Sequence, residues 1–321
     1  MIIKIKRFLS KPLKIKLKIV CNLPKLLVKK LFFLVVGYLV RQFMNTKIGR
    51  EAFLKSVGEN QILLSKTKEN IYYLINSSDK VLGRTVFLEK ESYDSKKLTS
   101  ALDLVSNRRN TLLDVGANIG TIGIFGVSRG YFDKCIAFEP EPNNFKLLQQ
   151  NVLLNNLEKK FELRNVALSN QRDGTLDFEL SEDNYGDHRV RFHNQPGKYK
   201  ECDRKVIPVS VNTLDSILVD VNIDDCFLFM DTQGFEGHVL SGAKNLIQKG
   251  IPIVMEFWPY GLQRADGFTL LCDALTNSKY TAMWDLRRPY EKLKFSIDNI
   301  ERISLELSEG VKSTDLVIVH E

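Results

Sequence analysis

Residues 112–120 read Leu112-Leu113-Asp114-Val115-Gly116-Ala117-Asn118-Ile119-Gly120, an apolar strand that ends in an acid and turns through glycines into a helix. A glycine turn at the C-terminal end of a first parallel strand lets a ligand approach the backbone closely, and the helix start that follows offers free N–H groups. The stretch indicates a nucleotide-like cofactor. A nicotinamide fingerprint would read G-x-G-x-x-G. Here the glycines are Gly116, Gly120 and Gly123, Asn118 stands in place of the second, and Asp114 would repel a pyrophosphate. Glu139 closes the next strand, 23 residues after Gly116, where a carboxylate can accept both hydroxyls of a ribose. The plainer readings are a helix N-cap for Asp114 and a solvated loop residue for Glu139.

Outward from this turn the chain alternates short apolar strands with amphipathic helices, the pattern of an α/β fold with a largely parallel sheet. Strands are expected at 111–115, 134–138, 161–167, 226–231, 252–257, 281–286 and 316–319, and helices at 119–129, 142–155, 235–249 and 267–276, with Gly130 and Gly250 at helix C-caps. Upstream, 71–75 and 85–88 read as strands, and a helix follows a cap near Asp94. Residues 169–225 break the rhythm. They hold strands at 175–180 and 206–211 around a polar loop, 181–204, an insertion of the kind that recognises substrate.

The charge is divided unevenly. Of 46 Lys+Arg, 13 lie in residues 1–50, which contain no Asp or Glu, whereas the remaining chain has 33 basic against 39 acidic residues. A basic arm on an acidic body disfavours a nucleic-acid binder, whose folded domain would carry the positive charge. The five cysteines contain no CxxC and the four histidines no HExxH, so neither a disulfide framework nor a metal site is expected, and a reducing, cytoplasmic setting fits. The longest apolar run, 31–40, is flanked by Lys29, Lys30 and Arg41 and is half the ~20 residues that a span requires. Residues 13–19 alternate Leu/Ile with Lys, and Asn22 and Pro24 mark a helix start leading to about Arg41. Residues 1–44 thus describe an anchor lying on an anionic membrane surface; a helix packed on the protein's own domain, a tilted span and a solvated tail are the alternatives.

The chain resembles the FkbM group of class I S-adenosylmethionine-dependent methyltransferases over about residues 70–260. The resemblance rests on five blocks in order: DVGANIG (114–120), FEPEPNNFKLLQQN (138–151), NVALSN (165–170), VNTLDSIL (211–218) and FMDTQGFEGHVLSGA (229–243). It implies a doubly wound, mostly parallel seven-stranded Rossmann-like sheet in a domain spanning 111–321, with an arm at 1–50 and flanking elements at 51–110. It also implies S-adenosylmethionine as cofactor, with Asp114, Gly116, Ala117, Asn118 and Gly120 around its methionine and ribose, and Glu139 on the ribose hydroxyls. Asn165, Val166 and Ala167 would lie beside the adenine and Asp231 at the transferred methyl. The group is associated with O-methylation of glycans and natural products, which points to a hydroxyl acceptor. Where the family tends to write Asp-x-Glu-Gly-x-Glu, this chain has Asp231-Thr232-Gln233-Gly234-Phe235-Glu236, so Gln233 cannot be a base or bind a positive group.

A hydroxyl is a weak nucleophile, and a base within hydrogen-bond reach helps it by roughly 10²–10⁴-fold. Asp231 and Glu256 rank first because strand ends hold side chains firmly, followed by Glu236. His188 and His193 of the inserted loop are further candidate bases, a surface loop position being the plainer reading of each, and His238 is expected exposed on its helix. Phe257, Trp258 and Tyr260 would either pack on a sugar face or belong to the core. A cofactor- or glycan-binding protein without catalysis and an NAD-dependent oxidoreductase are the competing readings.

Overall fold

Residues 226–230, Cys-Phe-Leu-Phe-Met, show no polar alternation, and such a run is stable as a strand only where both of its faces are covered. In the computed structural model, which describes residues 25–308 and 312–321, all five are buried at the centre of a large sheet. The chain divides into two compact units, Met1–Gly58 and Glu59–Glu321.

The first unit contains α1 (Lys25–Met44) and α2 (Lys47–Ser56). Thr46 Oγ1 accepts the Gly49 N–H at 3.0 Å and caps α2, and Arg50 Nη1 donates to the Asn45 carbonyl at 2.8 Å across the turn. The unit therefore ends eight residues beyond the arm expected from charge. The expected helix is seen, running to Met44. Its start at Asn22–Pro24 and the 13–19 alternation lie outside the described residues.

The second unit opens with a hairpin, β1 (Ile62–Lys66) and β2 (Tyr72–Asn76), followed by α3 (Leu82–Glu89) and α4 (Ser95–Leu102). The doubly wound body then runs β3 (Thr111–Val115), α5 (Thr121–Ser128), β4 (Lys134–Phe138), α6 (Pro142–Leu154) and β5 (Phe161–Arg164). The insertion supplies β6 (Ala167–Leu168), β7 (Thr175–Leu180), β8 (Arg189–Val190) and β9 (Lys205–Asn212), with α7 (Leu214–Ile217) leading out of it. The chain returns to the main sheet through β10 (Cys226–Met230), α8 (Glu236–Ser241), α9 (Lys244–Lys249), β11 (Ile253–Phe257), α10 (Pro259–Arg264) and α11 (Gly267–Thr276). It ends with β12 (Ala282–Asp285), β13 (Leu293–Lys294), α12 (Ile297–Ser308) and β14 (Thr314–Val319).

The main sheet has the order β13-β12-β14-β11-β10-β3-β4-β5. Strands β11, β10, β3, β4 and β5 are parallel, and β14 enters antiparallel between β11 and β12. This is the expected Rossmann-like sheet with a two-residue eighth strand, β13, at one edge. The chain leaves β3 toward β4 on one side and returns at β10 on the other. A cleft outside the C-terminal ends of the strands is expected at that reversal. Below it, Leu113, Leu228, Met230 and Met255 from the sheet share one buried core with Leu240, Leu246 and Leu271 from the helices.

Three local expectations are corrected. Residues 85–88 are helical within α3, because Asp79 accepts the N–H groups of Val81 (3.1 Å) and Gly83 (2.6 Å) and starts a helix that buries Leu82, Val86 and Phe87. The strand at 161–167 divides: Asn165 Nδ2 donates to the Glu139 and Pro140 carbonyls at 2.8 and 3.0 Å, turning the chain out of the main sheet, and β6 pairs with β9. The helix at 235–249 breaks into α8 and α9 at Gly242, where a Cβ would stand 2.1 Å from the Ser169 carbonyl oxygen. The polar loop 181–204 is organised by buried charge: Arg189 meets Glu179, Asp187 and Glu201 at 2.9, 3.0 and 3.2 Å, under the Trp258 ring at 5.0 Å.

The hairpin is fastened to the body by Asn151 of α6 and by Asn155, which caps the end of that helix. Asn151 Oδ1 accepts the Leu74 N–H at 2.6 Å and Asn155 Oδ1 the Tyr72 N–H at 2.9 Å, while their Nδ2 groups donate to the carbonyls of the same two residues. Side-chain amides here satisfy the edge of β2 in place of another strand.

Candidate active site

A cavity of about 220 Å³ opens at the reversal point, between the ends of β3, β4, β10 and β11 and the insertion. Its floor is the turn after β3. Gly116 has φ +83°, and a Cβ there would stand 1.9 Å from the Asp231 carbonyl oxygen, so only glycine lets this turn lie against the end of β10. The Asp231 N–H donates to the Val115 carbonyl at 2.9 Å and fixes the two strand ends together.

Asp114 is buried, and its Oδ2 accepts the Gly123 N–H in the first turn of α5 at 2.9 Å. Burial pushes its carboxyl up to about 7. Capping and lining the cavity are therefore combined in one residue. Glu139 is also buried, with Oε2 accepting the Asn118 N–H and Oε1 the Glu141 N–H, both at 2.8 Å, and burial raises it to about 8. It is no solvated loop residue. Each carboxylate oxygen retains a second lone pair for a ligand hydroxyl.

Asn118, at φ +50°, gives its side chain a further task, since Nδ2 donates to the Tyr185 carbonyl of the insertion at 2.7 Å. Gly116, Ala117, Asn118, Val166 and Ala167 line the cavity. Gly120 and Asn165 do not. Gly120 precedes α5 at φ +90°, and Asn165 stands behind Glu139 and holds its backbone.

In the same cavity wall, Asp231, Gln233 and Glu256 meet. Gln233 Nε2 donates to Asp231 Oδ1 at 2.6 Å and to Glu256 Oε2 at 2.9 Å. Enclosure and the facing Asp231 carboxylate hold Glu256 well above the usual carboxylate range. Lys97 also lines this end, 3.2 Å from Asp94 and 3.3 Å from Asp315. Glu236 lies outside the cavity wall. Its Oε1 accepts from Thr232 N (2.9 Å) and Thr232 Oγ1 (2.8 Å), shaping the loop that carries Gln233, and burial raises it to about 7.

The histidines separate. His188 lines the cavity, contrary to its expected surface position. His193 pairs with Asp266 at 3.1 Å, away from it. His238 is buried, stacked on Phe235 at 4.1 Å and bonded to the Ala265 carbonyl at 2.7 Å, so its expected exposure is corrected. Phe257 and Trp258 are buried, and Tyr260 donates to Glu201 at 2.8 Å; none of the three lines the cavity. Lys97, Tyr93 and Tyr185 were not singled out in the sequence, because nothing local places them at the cavity. Among the described residues no cluster of His, Cys, Asp and Glu could hold a metal ion.

The Methyltransferase FkbM domain family matches residues 114–281, a little over half of the chain, including Asp114, Glu139, Asp231 and Glu256 of this site. The chain belongs to the FkbM methyltransferases. The FkbM methyltransferase from Methylobacillus flagellatus KT is similar at 16% identity and a TM-score of 0.41, over 67% of this chain and 45% of that one. This FkbM chain thus spans less than half the length of that relative. A Streptococcus agalactiae protein of the NADB-Rossmann superfamily is similar at 16% identity and TM-score 0.39, over 70% and 68% of the two chains. StiE O-MT is similar at 11% and 0.40, over 76% and 78%. Curated proteins yield no match.

S-adenosylmethionine is the cofactor of this family, and the residues present fit it. Asp114, Glu139, Asp231 and Glu256 suit a ligand that carries positive charge and a ribose. A pyrophosphate would meet carboxylates there, and the wall's one lysine, Lys97, is already held by Asp94 and Asp315. Glu139 would hold the ribose hydroxyls, and Asp114 and the Gly116–Asn118 backbone the charged portion.

Proposed function

We propose that this protein transfers a methyl group from S-adenosylmethionine to a hydroxyl of a glycan, a lipid-linked sugar or a natural product, working at the inner membrane face. The observation that carries the reading is the Asp231–Gln233–Glu256 cluster, which shares one cavity with Glu139. Methyl transfer to a hydroxyl needs in-line alignment and somewhere for the hydroxyl proton to go. As the acceptor oxygen forms its bond to the methyl carbon, the methyl–sulfur bond would break with its electron pair left on sulfur, and the hydroxyl proton passes to a carboxylate. Enclosure raises Glu256 and disfavours its ionised form, and Asp231, which accepts from the Gln233 amide, is the proton acceptor in this reading. Gln233 replaces the family's carboxylate without removing the base. It supplies a donor between two acids that would otherwise repel each other.

The membrane portion of the reading rests on α1. Leu27, Phe32, Phe33, Leu39, Val40 and Phe43 are exposed along it, with Lys29, Lys30 and Arg41 also exposed and no acid in the helix. No described helix is long and apolar enough to cross a membrane. The ten apolar residues 31–40 rise about 15 Å, half of a ~30 Å hydrocarbon core. Basic groups at both ends of the run are then served by one headgroup layer.

The experiment is methyl transfer from labelled S-adenosylmethionine to a panel of free and lipid-linked glycans, alongside calorimetric titration with S-adenosylhomocysteine and NAD. Label on an acceptor oxygen and binding of the sulfur ligand alone support the reading. Binding of NAD, or cofactor binding without transfer to any acceptor, sinks it.

A further inference from the structure

The insertion adds to the cavity a polar group that the reaction does not use. His188 stands just before β8, half-buried, with its ring 5.3 Å from the Tyr185 ring and edge-on to Phe178 at 6.5 Å. Its Nδ1 lies 2.9 Å from the Ser181 backbone N–H and accepts from it. A nitrogen that accepts a backbone N–H carries no proton, so the neutral ring has its hydrogen on Nε2. Burial and the Arg204 guanidinium push the ring's pKa down to about 4, which keeps it neutral. His188 is therefore a donor and cannot be the base.

Among the described residues no protein group meets Nε2, and the ring forms part of the cavity wall. The surrounding wall is apolar: Val166, Ala167, Phe178 and Val190. These apolar side chains contrast with the cavity's acidic groups, Asp94, Asp231 and Glu256. An uncharged donor among flat, apolar surfaces suits a planar, uncharged ring whose edge accepts hydrogen bonds. Within an adenosyl cofactor only the purine has that character.

We propose that His188 is a cofactor-recognition residue that donates its Nε2–H to a ring nitrogen of the adenine. The inference rests on the adenosyl-cofactor reading above and adds to it the residue of the insertion that reads the base. The insertion then closes over the cofactor through two anchors, the Asn118 amide on the Tyr185 carbonyl and the His188 ring on the purine.

Two substitutions separate this role from a structural one. In His188→Asn the Oδ1 can take the place of Nδ1 and accept the Ser181 N–H, with nothing at the Nε2 position. In His188→Gln the longer side chain brings an amide N–H to the Nε2 position. Calorimetric titration with S-adenosylhomocysteine and with 5′-methylthioadenosine, which has the base but no amino acid portion, is expected to show about 3- to 10-fold weaker binding of both by His188→Asn. His188→Gln is expected to stay within about 2-fold of the wild type. Equal losses in the two variants, a loss in His188→Gln alone, or no loss in either assigns the ring to packing and overturns the proposal. Wild-type protein that fails to bind either ligand overturns the adenosyl reading itself.

Discussion

The side-chain amide nitrogen of Gln233 stands 2.9 Å from Glu256 Oε2, and the same nitrogen reaches Asp231 at 2.6 Å. One neutral donor thus joins two carboxyl groups in the cavity wall, one just past the end of β10 and one in β11. With an acid on either side, the amide has to present its NH2 to them and its oxygen elsewhere. The residue that departs from the family pattern is the one that arranges the pair.

Gln233→Leu keeps much of the volume and removes the donor. A hydrogen bond to a charged group contributes roughly 1.5–3 kcal/mol, so without it the ionised carboxylate of the pair is harder to form. The acid limb of kcat/KM against pH is expected to move up by about one unit, with methyl transfer reduced about 10-fold on the acid limb and nearly unchanged on the plateau. A pH–rate profile measured with any accepted hydroxyl substrate checks this. An unmoved acid limb would show that the pair does not take up the proton.

Asp114 gives a second pH signature, in stability. Its carboxyl is pushed up to about 7 in the folded protein, above its ordinary value of about 3.9. A raised group contributes stability that is present below about pH 4 and lost as pH rises through the folded value near 7. Asp114→Asn keeps an oxygen for the Gly123 N–H and removes the titration. Urea unfolding of the cofactor-free variant is expected to match wild type at pH 4 and to exceed it by about 1–3 kcal/mol at pH 8. The same substitution is expected to weaken S-adenosylmethionine binding at least about 10-fold, since a buried carboxylate facing a cationic ligand is lost.

Gly116→Ala tests the turn itself. The new methyl would enter within 1.9 Å of the Asp231 carbonyl oxygen, and the φ of +83° is unfavourable for any side chain. Strain of about 1–2 kcal/mol from the backbone and about 1–3 kcal/mol from overlap is expected to lower stability and prevent cofactor binding. Thermal unfolding with and without S-adenosylhomocysteine reads both effects; the wild type should gain Tm with ligand and the variant should not.

The readable portion of this chain was the portion whose chemistry is local. Asp114 to Gly120 identifies itself because a glycine turn, an acid and a helix start sit within seven residues, and Glu139 follows because strand lengths fix where the next strand ends. The α3 helix is the exception: Thr85 to Leu88 favour a strand, and the cap that overrides them is itself local, Asp79 accepting the N–H groups of Val81 and Gly83. The α12 helix carried a signal that was overlooked, with Ile300, Ile303, Ser304 and Leu307 buried at spacings of three and four. No local pattern connects Arg189 with Glu179, Asp187 and Glu201, or brings Gln233 to Glu256 across 23 residues, because those pairings exist only once the insertion and the two strands are folded.

The arm makes the last prediction. Two terms hold an amphipathic surface helix on a bilayer: burial of apolar side chains, and attraction of cations to anionic lipid at about 1 kcal/mol for each basic residue near the surface. Phe32 and Phe33 are both more than 60% exposed, so changing them to Ser removes apolar contact and disturbs no buried core. Phe32→Ser/Phe33→Ser is expected to weaken binding to phosphatidylserine vesicles at least about 10-fold at any salt concentration. Lys29→Glu/Lys30→Glu is expected to weaken it by a similar factor at 0.1 M salt and much less at 1 M, where the Debye length falls to about 3 Å. Vesicle flotation at both salt concentrations separates the two terms. Flotation equal to wild type in both variants would remove α1 from the membrane and leave the methyltransferase reading, which depends on the second unit alone, intact.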